Sequence, residues 1–189
     1  NFSASHILEA EVGSFIQSSI PSIDLVRFCS SGTEATFAAV GLAQAYSQRE
    51  GIVVFDGCYH GWLTQRWSHK SFHMPLSNLD MLEALLSDRA HEIACVVLDP
   101  CPASNGLIDL DIHFVRGVRE LCTKYKTLLI FDEIISGFRL GLGGQQAIEG
   151  AYPDLTVLGK ALGGGLPIGA YGGREEIMQA CSPCGTFRQ

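Results

Sequence analysis

The 189-residue chain has no apolar run approaching the ~18 residues that a membrane-spanning helix needs. It also has no excess of basic charge: 13 Lys and Arg stand against 20 Asp and Glu, a formal net charge of −7. A nucleic-acid or anionic-membrane binder needs a basic face, so neither partner is expected. Disorder is not expected either, since 47% of the residues are hydrophobic and only 17% are charged. No internal repeat, low-complexity tract or Pro/Ser-rich linker interrupts the sequence, and a single domain over residues 1–189 is expected. The opening, Asn1-Phe2-Ser3-Ala4-Ser5-His6, lacks the basic and apolar regions of a signal peptide, and it lacks an initiator Met.

The cysteines number 7, an odd count, and most lie in apolar runs, which suits reduced thiols in a cytoplasmic compartment. Cys181 and Cys184 have C-x-x-C spacing, but no second pair completes a zinc site, so no metal is expected.

What is present is alternation. Continuous apolar runs of strand length occur at Leu25–Cys29, Ile52–Phe55, Ile93–Leu98 and Leu128–Phe131, with shorter ones at Leu155–Leu158 and Ile168–Tyr171. Such runs suit strands buried on both faces. Helical spacing is predicted over Ser3–Ile20, Thr33–Gln48, Asn78–Arg89 (with Ser77 placed to cap) and Asp111–Lys126. The last of these carries acid at its start and Lys124 and Lys126 at its end, as the helix dipole favours. Repeated strand and helix predict an α/β three-layer domain with a mostly parallel sheet.

Several strand ends carry chemistry. Ser30-Ser31-Gly32-Thr33-Glu34 follows a strand and opens a helix, where backbone N–H groups and the dipole can cradle an anion. The same residues also read as a capping box, Ser31 with Glu34. Gly57-Cys58-Tyr59-His60-Gly61 delivers an aromatic ring and an imidazole on a Gly-flanked turn. Phe131-Asp132-Glu133 ends an apolar strand in two carboxylates, and a buried carboxylate needs a positive partner. Lys160 sits between an apolar run and Gly163-Gly164-Gly165. In apolar surroundings its ammonium form is disfavoured and its amine becomes a nucleophile. Separately, each also reads as an ordinary cap, turn, strand end or solvated lysine.

Taken in order, the set suits pyridoxal 5′-phosphate. Its phosphate would take the helix start at Gly32 and Thr33, Tyr59 would cover the ring, Asp132 would meet the ring nitrogen, and Lys160 would form the Schiff base. An aldolase-like lysine enzyme without pyridoxal is a rival that the anion cradle and Asp132 disfavour.

The same motifs, with Phe131-Asp132-Glu133-Ile134-Ile135-Ser136-Gly137-Phe138-Arg139 and Pro153-Asp154-Leu155-Thr156-Val157-Leu158-Gly159-Lys160, resemble class III aminotransferases of the fold type I pyridoxal-phosphate enzymes. The likeness is greatest to the glutamate-1-semialdehyde 2,1-aminomutase branch. It implies Lys160 as the Schiff-base lysine and Asp132 as the partner of the ring nitrogen. It also implies Ile134 under the ring, Tyr59 with His60 beside it over the ring, and Gly32 and Thr33 at the phosphate. Amino-group transfer between small-molecule donors and acceptors is implied, by transamination or by an intramolecular shift, and so is a homodimer. The family enzyme is more than twice as long, so the chain corresponds to its large domain, with the small domain missing and both ends cut short. A catalytically incomplete domain serving as a binding or assembly module is therefore the alternative. The family's Glu before Pro100 is Asp99 here, and the Asn that members place near the cofactor matches Asn105 or, by spacing, Ser104. Trp62–His73 reads as a short loop in place of a longer one.

Overall fold

The computed structural model describes residues 6–62 and 70–181. Every apolar run read as a strand forms one: β1 (Leu25–Cys29), β2 (Gly51–Phe55), β4 (Ile93–Leu98), β5 (Leu128–Glu133), β6 (Leu155–Leu158) and β7 (Gly169–Gly173). An additional strand, β3 (Ser71–Met74), begins within the stretch read as a loop and ends one residue beyond it; residues 63–69 of that stretch lie outside the described residues. It pairs in parallel with β2 at the sheet edge, exposing His73, so it lacks the apolar continuity of the inner strands.

The strands form one 7-stranded sheet in the order β1-β7-β6-β5-β4-β2-β3. Pairing is parallel from β3 through to β6, and β7 runs antiparallel to both β6 and β1. The mostly parallel expectation therefore holds, with β7 as the exception. Because β7 is reversed, β1 points the same way as β6, and the carboxyl ends of β1, β2, β4, β5 and β6 share one edge. In open α/β sheets that edge receives ligands.

Helix α2 (Gly32–Ser47) covers one face, burying Ala35, Ala39, Leu42 and Ala43 against Val97, Ile130, Val157 and Tyr171. The short α6 (Glu175–Met178) adds Ile177 and Met178 to that layer. On the other face α3 (Leu79–Arg89) and α4 (Ile112–Lys124) bury Leu82, Leu86, Phe114 and Val118 against Val96, Leu98, Leu129 and Phe131. Helix α1 (Ile7–Ser19) packs Ile16 near Leu158 and Ala170, the residues of β6 and β7 that alternate away from α2. The result is the expected three-layer α/β arrangement.

Cap positions refine the sequence reading. Asn78 rather than Ser77 caps α3, its side chain accepting from the Met81 N–H at 3.0 Å, while Ser77 takes a left-handed φ of 62°. His6 caps α1 through Nδ1, so the helix begins after it; Ser3–Ser5 lie outside the described residues. Asp111 caps α4 by accepting from the His113 N–H at 2.8 Å.

Candidate functional site

The strand ends converge on a cavity of about 170 Å³ lined by Gly32, Thr33, Tyr59, Asp132, Ile134 and Lys160, with Asp99 and Ser104 completing its wall. Residues separated in sequence by more than a hundred positions thus meet because the crossovers return each strand to the same edge.

The start of α2 forms one side. The Ser31 hydroxyl accepts from the Glu34 N–H at 3.2 Å, and the Glu34 carboxylate accepts from the Ser30 N–H at 2.7 Å. The capping reading is therefore correct in substance, although Glu34 reaches one residue further back than a reciprocal box requires. Capping and anion binding do not compete here. The first N–H groups of a helix have no intrahelical acceptor, so those of Gly32 and Thr33 stay available to an anion at the positive dipole end. Gly32 also keeps this edge low: a Cβ there would lie 2.7 Å from Ile134 Cδ1 and 3.1 Å from both Cγ atoms.

Asp132, buried at the end of β5, has two fixed donors. His60 Nδ1 lies 2.7 Å from its Oδ2, and the Ile134 N–H donates to its Oδ1 at 3.1 Å. With a carboxylate as acceptor, Nδ1 carries the proton of this tautomer. A hydrogen bond to a charged group of this kind contributes about 1.5–3 kcal/mol. This gives the carboxylate the positive-ended partner that its burial requires. It also corrects the expected place of His60, which is buried behind Asp132 rather than lying beside Tyr59 on the cavity wall. His60 Nε2 is buried without a hydrogen-bond partner among the described residues.

Tyr59 stands 61% exposed, its backbone N–H donating to Ser104 Oγ at 3.3 Å. Of the two candidates left open near the cofactor position, Ser104 lines the cavity, whereas the Asn105 amide abuts Gly57. Ile134 faces the cavity between Gly32 and Gly159, where a Cβ on Gly159 would come 3.2 Å from Ile134 Cγ2. Lys160 leaves β6 with a left-handed φ of 41° and opens a 3-10 turn. The turn lifts its side chain to the rim, so Lys160 is exposed rather than set in apolar surroundings as the sequence suggested.

Two acids beside the cavity were not singled out as site residues. Glu133 is fully buried and accepts four hydrogen bonds: Ser136 Oγ (2.9 Å) and the Gln145 N–H (2.6 Å) at Oε2, and the Gln146 N–H (3.1 Å) and Nε2 (3.0 Å) at Oε1. It thereby fixes the turn that follows Ile134 and the start of α5 (Gly144–Glu149). Asp99 ends β4, and burial, then the neighbouring Asp132 charge, push its carboxyl up to about 7. Burial foremost, then Asp99, Asp132 and Asp56, raise the Cys58 thiol to about 12, so it is no thiolate nucleophile at neutral pH. Among the described residues no cluster of His, Cys, Asp or Glu is arranged to hold a metal ion, and no helix is long and apolar enough to cross a membrane.

The residues present fit a phosphorylated pyridine aldehyde. The α2 N–H groups and the Thr33 hydroxyl suit a phosphate, and an ionised carboxylate that already takes two donors retains lone pairs for a ring N–H. Ile134 and Tyr59 offer apolar surface, and Lys160 offers the amine.

Comparison with known proteins agrees. The family model "Aminotransferase class-III" matches residues 64–188. A glutamate-1-semialdehyde 2,1-aminomutase from Desulforudis audaxviator is 40% identical over 211 residues, covering 100% of this chain and 49% of that protein. The solved omega-transaminase from Sphaerobacter thermophilus superposes with a TM-score of 0.92 at 33% identity, over 100% of this chain and 50% of its own. A structure described as a transaminase with PLP bound gives 0.92 at 29% identity, over 100% and 50%. The chain spans about half the length of the curated relatives it matches, such as 47% of the aminomutase from Desulforamulus reducens.

Proposed function

Because the chain belongs to the class-III aminotransferase family, we propose that residues 1–189 are the pyridoxal 5′-phosphate-binding domain of an enzyme that transfers amino groups between small molecules. The observation that carries this reading is the single cavity lined by Lys160, Asp132 and the start of α2. When bound, pyridoxal 5′-phosphate supplies an aldehyde that an amine can capture and a pyridine ring that takes up electrons from a substrate carbon.

The chain's own groups then have distinct tasks. The Gly32 and Thr33 N–H groups, with the Thr33 hydroxyl, bind the phosphate at the α2 dipole. Asp132 Oδ2, held by His60 Nδ1, keeps a proton on the ring nitrogen. His60 serves the cofactor through that bond. Ile134 and Tyr59, which line the cavity, would offer apolar surface to the ring and help to exclude water from it. Lys160 Nζ would hold the cofactor and would be the amine placed to move a proton to and from a substrate carbon. A purely structural module would have no use for a lysine held on a left-handed turn at such a cavity.

Subunit pairing extends the proposal. On α1, Ile7, Leu8 and Phe15 are exposed, as is Leu166 after β6, and such apolar surface suits burial against a second copy. A homodimer by light scattering is the expected outcome. The cysteines among the described residues are free thiols, which supports a cytoplasmic location.

The test is half-transamination. The chain loaded with pyridoxal 5′-phosphate is incubated with a panel of amino donors, and pyridoxamine 5′-phosphate is quantified by chromatography. Formation in the wild type that Lys160→Ala abolishes supports the reading. No product with any donor, or equal product in the variant, contradicts it.

A further inference from the structure

The sheet register sets two acids side by side. Leu98 of β4 pairs with Phe131 of β5, so the next rung brings Asp99 beside Asp132. Neighbouring parallel strands lie about 4.8 Å apart. Alternation turns Leu98 and Phe131 toward α4, and both Asp99 and Asp132 the other way, onto the cavity. Both side chains are almost wholly removed from solvent.

Two carboxylates so placed do not ionise equally readily, and the one with fewer donors keeps the proton. Asp132 has the His60 ring N–H and the Ile134 N–H. Among the described residues Asp99 has one hydrogen-bond donor, the Cys101 N–H at 2.9 Å from Oδ1, and no salt-bridge partner. The other titratable groups that act on Asp99 are His60, which favours its charge, and Glu133, which opposes it. Cys58 on the turn after β2 and Cys101 on its own turn stay protonated thiols, and Lys160 stands across the cavity.

We infer that Asp99 is a positioning residue: it carries the proton of the Asp99–Asp132 pair and so keeps Asp132 the sole charged carboxylate facing a ligand's ring nitrogen. The inference rests on the functional reading above for the identity of that ligand, but not for the asymmetry of the pair. Burial and the Asp132 charge push the Asp99 carboxyl up to about 7, so the arrangement holds below neutral pH and is half lost at it. Above it Asp99 releases its proton, and the second negative charge holds any cationic group in the cavity more firmly.

Two measurements test this. In the cofactor-free chain carrying ¹³C-carboxyl aspartate, the signal lost in Asp99→Asn identifies Asp99, and its titration midpoint is expected near pH 7. A midpoint below about 5, the ordinary carboxylate range, overturns the inference. In the chain loaded with pyridoxal 5′-phosphate, the pH at which the visible lysine-bound band fades is then compared. Asp99→Asn lacks the added negative charge, so its transition is expected about one pH unit lower than wild type. Asp99→Glu, which keeps a titrating acid, restores it. An unchanged or raised transition in Asp99→Asn overturns the inference. A wild type with no visible band at any pH refutes the cofactor reading instead, and the carboxyl titration alone then decides for or against Asp99.

Discussion

Replacing Glu133 by Gln tests whether the buried acid next to Asp132 holds the site together. The swap preserves shape but turns one acceptor oxygen into an NH₂ group that faces donors whichever way the amide lies. At the Oε1 position it meets the Gln146 N–H and Nε2, and that side chain is already committed, Oε1 accepting from the Ser22 N–H and Nε2 donating to Thr156. At the Oε2 position it meets the Ser136 hydroxyl, which can rotate to accept, and the Gln145 N–H, which cannot. The second orientation is the cheaper one. It forfeits a hydrogen bond to a charged group, about 1.5–3 kcal/mol, and leaves an N–H without its acceptor, about 1 kcal/mol or more. Gln145 is only half-buried, which trims the second contribution. A net loss of about 2–4 kcal/mol follows, and with a urea m-value of about 2 kcal/mol/M the unfolding midpoint falls by about 1–2 M. A midpoint within about 0.3 M of wild type would refute the reasoning, because Glu133 would then be dispensable to the turn that carries Ile134.

Further outcomes follow from the same structure. For Asp99 the folded pKa is raised, to about 7, so its contribution to stability is full below the unfolded value near 4 and is lost as pH rises through 7. Urea midpoints of wild type at pH 5 and pH 8 should therefore differ more than those of Asp99→Asn, and equal pH slopes would contradict this. Gly32→Ala forces a Cβ to 2.7 Å from Ile134 Cδ1, an overpacking that costs about 1–3 kcal/mol. Its affinity for pyridoxal 5′-phosphate, measured by absorbance titration, should fall about tenfold or more, and an unchanged affinity would show that Ile134 does not set the floor of the site. Asp154 is buried and accepts from Arg119 and Arg174 at 2.8 Å each and from the Leu129 N–H at 2.7 Å. Asp154→Ala should lower stability by about 3 kcal/mol, at the low end for a broken buried pair because Arg174 is half exposed; a loss under 1 kcal/mol would contradict it.

The inner strands were legible in the sequence because burial on both faces leaves continuous runs such as Ile93–Leu98. Edge strand β3 was not, since Ser71 and His73 alternate with Phe72 and Met74 in a segment too short to announce itself. Strand-end position singles out Gly32, Thr33, Tyr59, Asp132 and Lys160, and resemblance alone adds Ile134; all six line one cavity. The place of His60 was not, because a Tyr-His pair on a turn gives no sign of which ring goes inward. The exposure of Lys160 depends on the 3-10 turn that follows, which Gly163-Gly164-Gly165 permit but do not specify. Asp99 before Pro100 stands out in the sequence only as a departure from the family's Glu, with no sign of its neighbour. Only the β4–β5 register, a contact between distant parts of the chain, reveals its neighbour. Glu133 is hidden for the same reason, since its donors come from residues 136 and 145–146.

The most direct test of the account is covalent mapping of the cofactor. The chain is mixed with pyridoxal 5′-phosphate, reduced with borohydride, digested and analysed by mass spectrometry. The account predicts a single stoichiometric pyridoxyl adduct on Lys160, with occupancy falling sharply in Asp132→Ala. Adducts scattered over surface lysines such as Lys70 and Lys124, with no preference for Lys160, would contradict it.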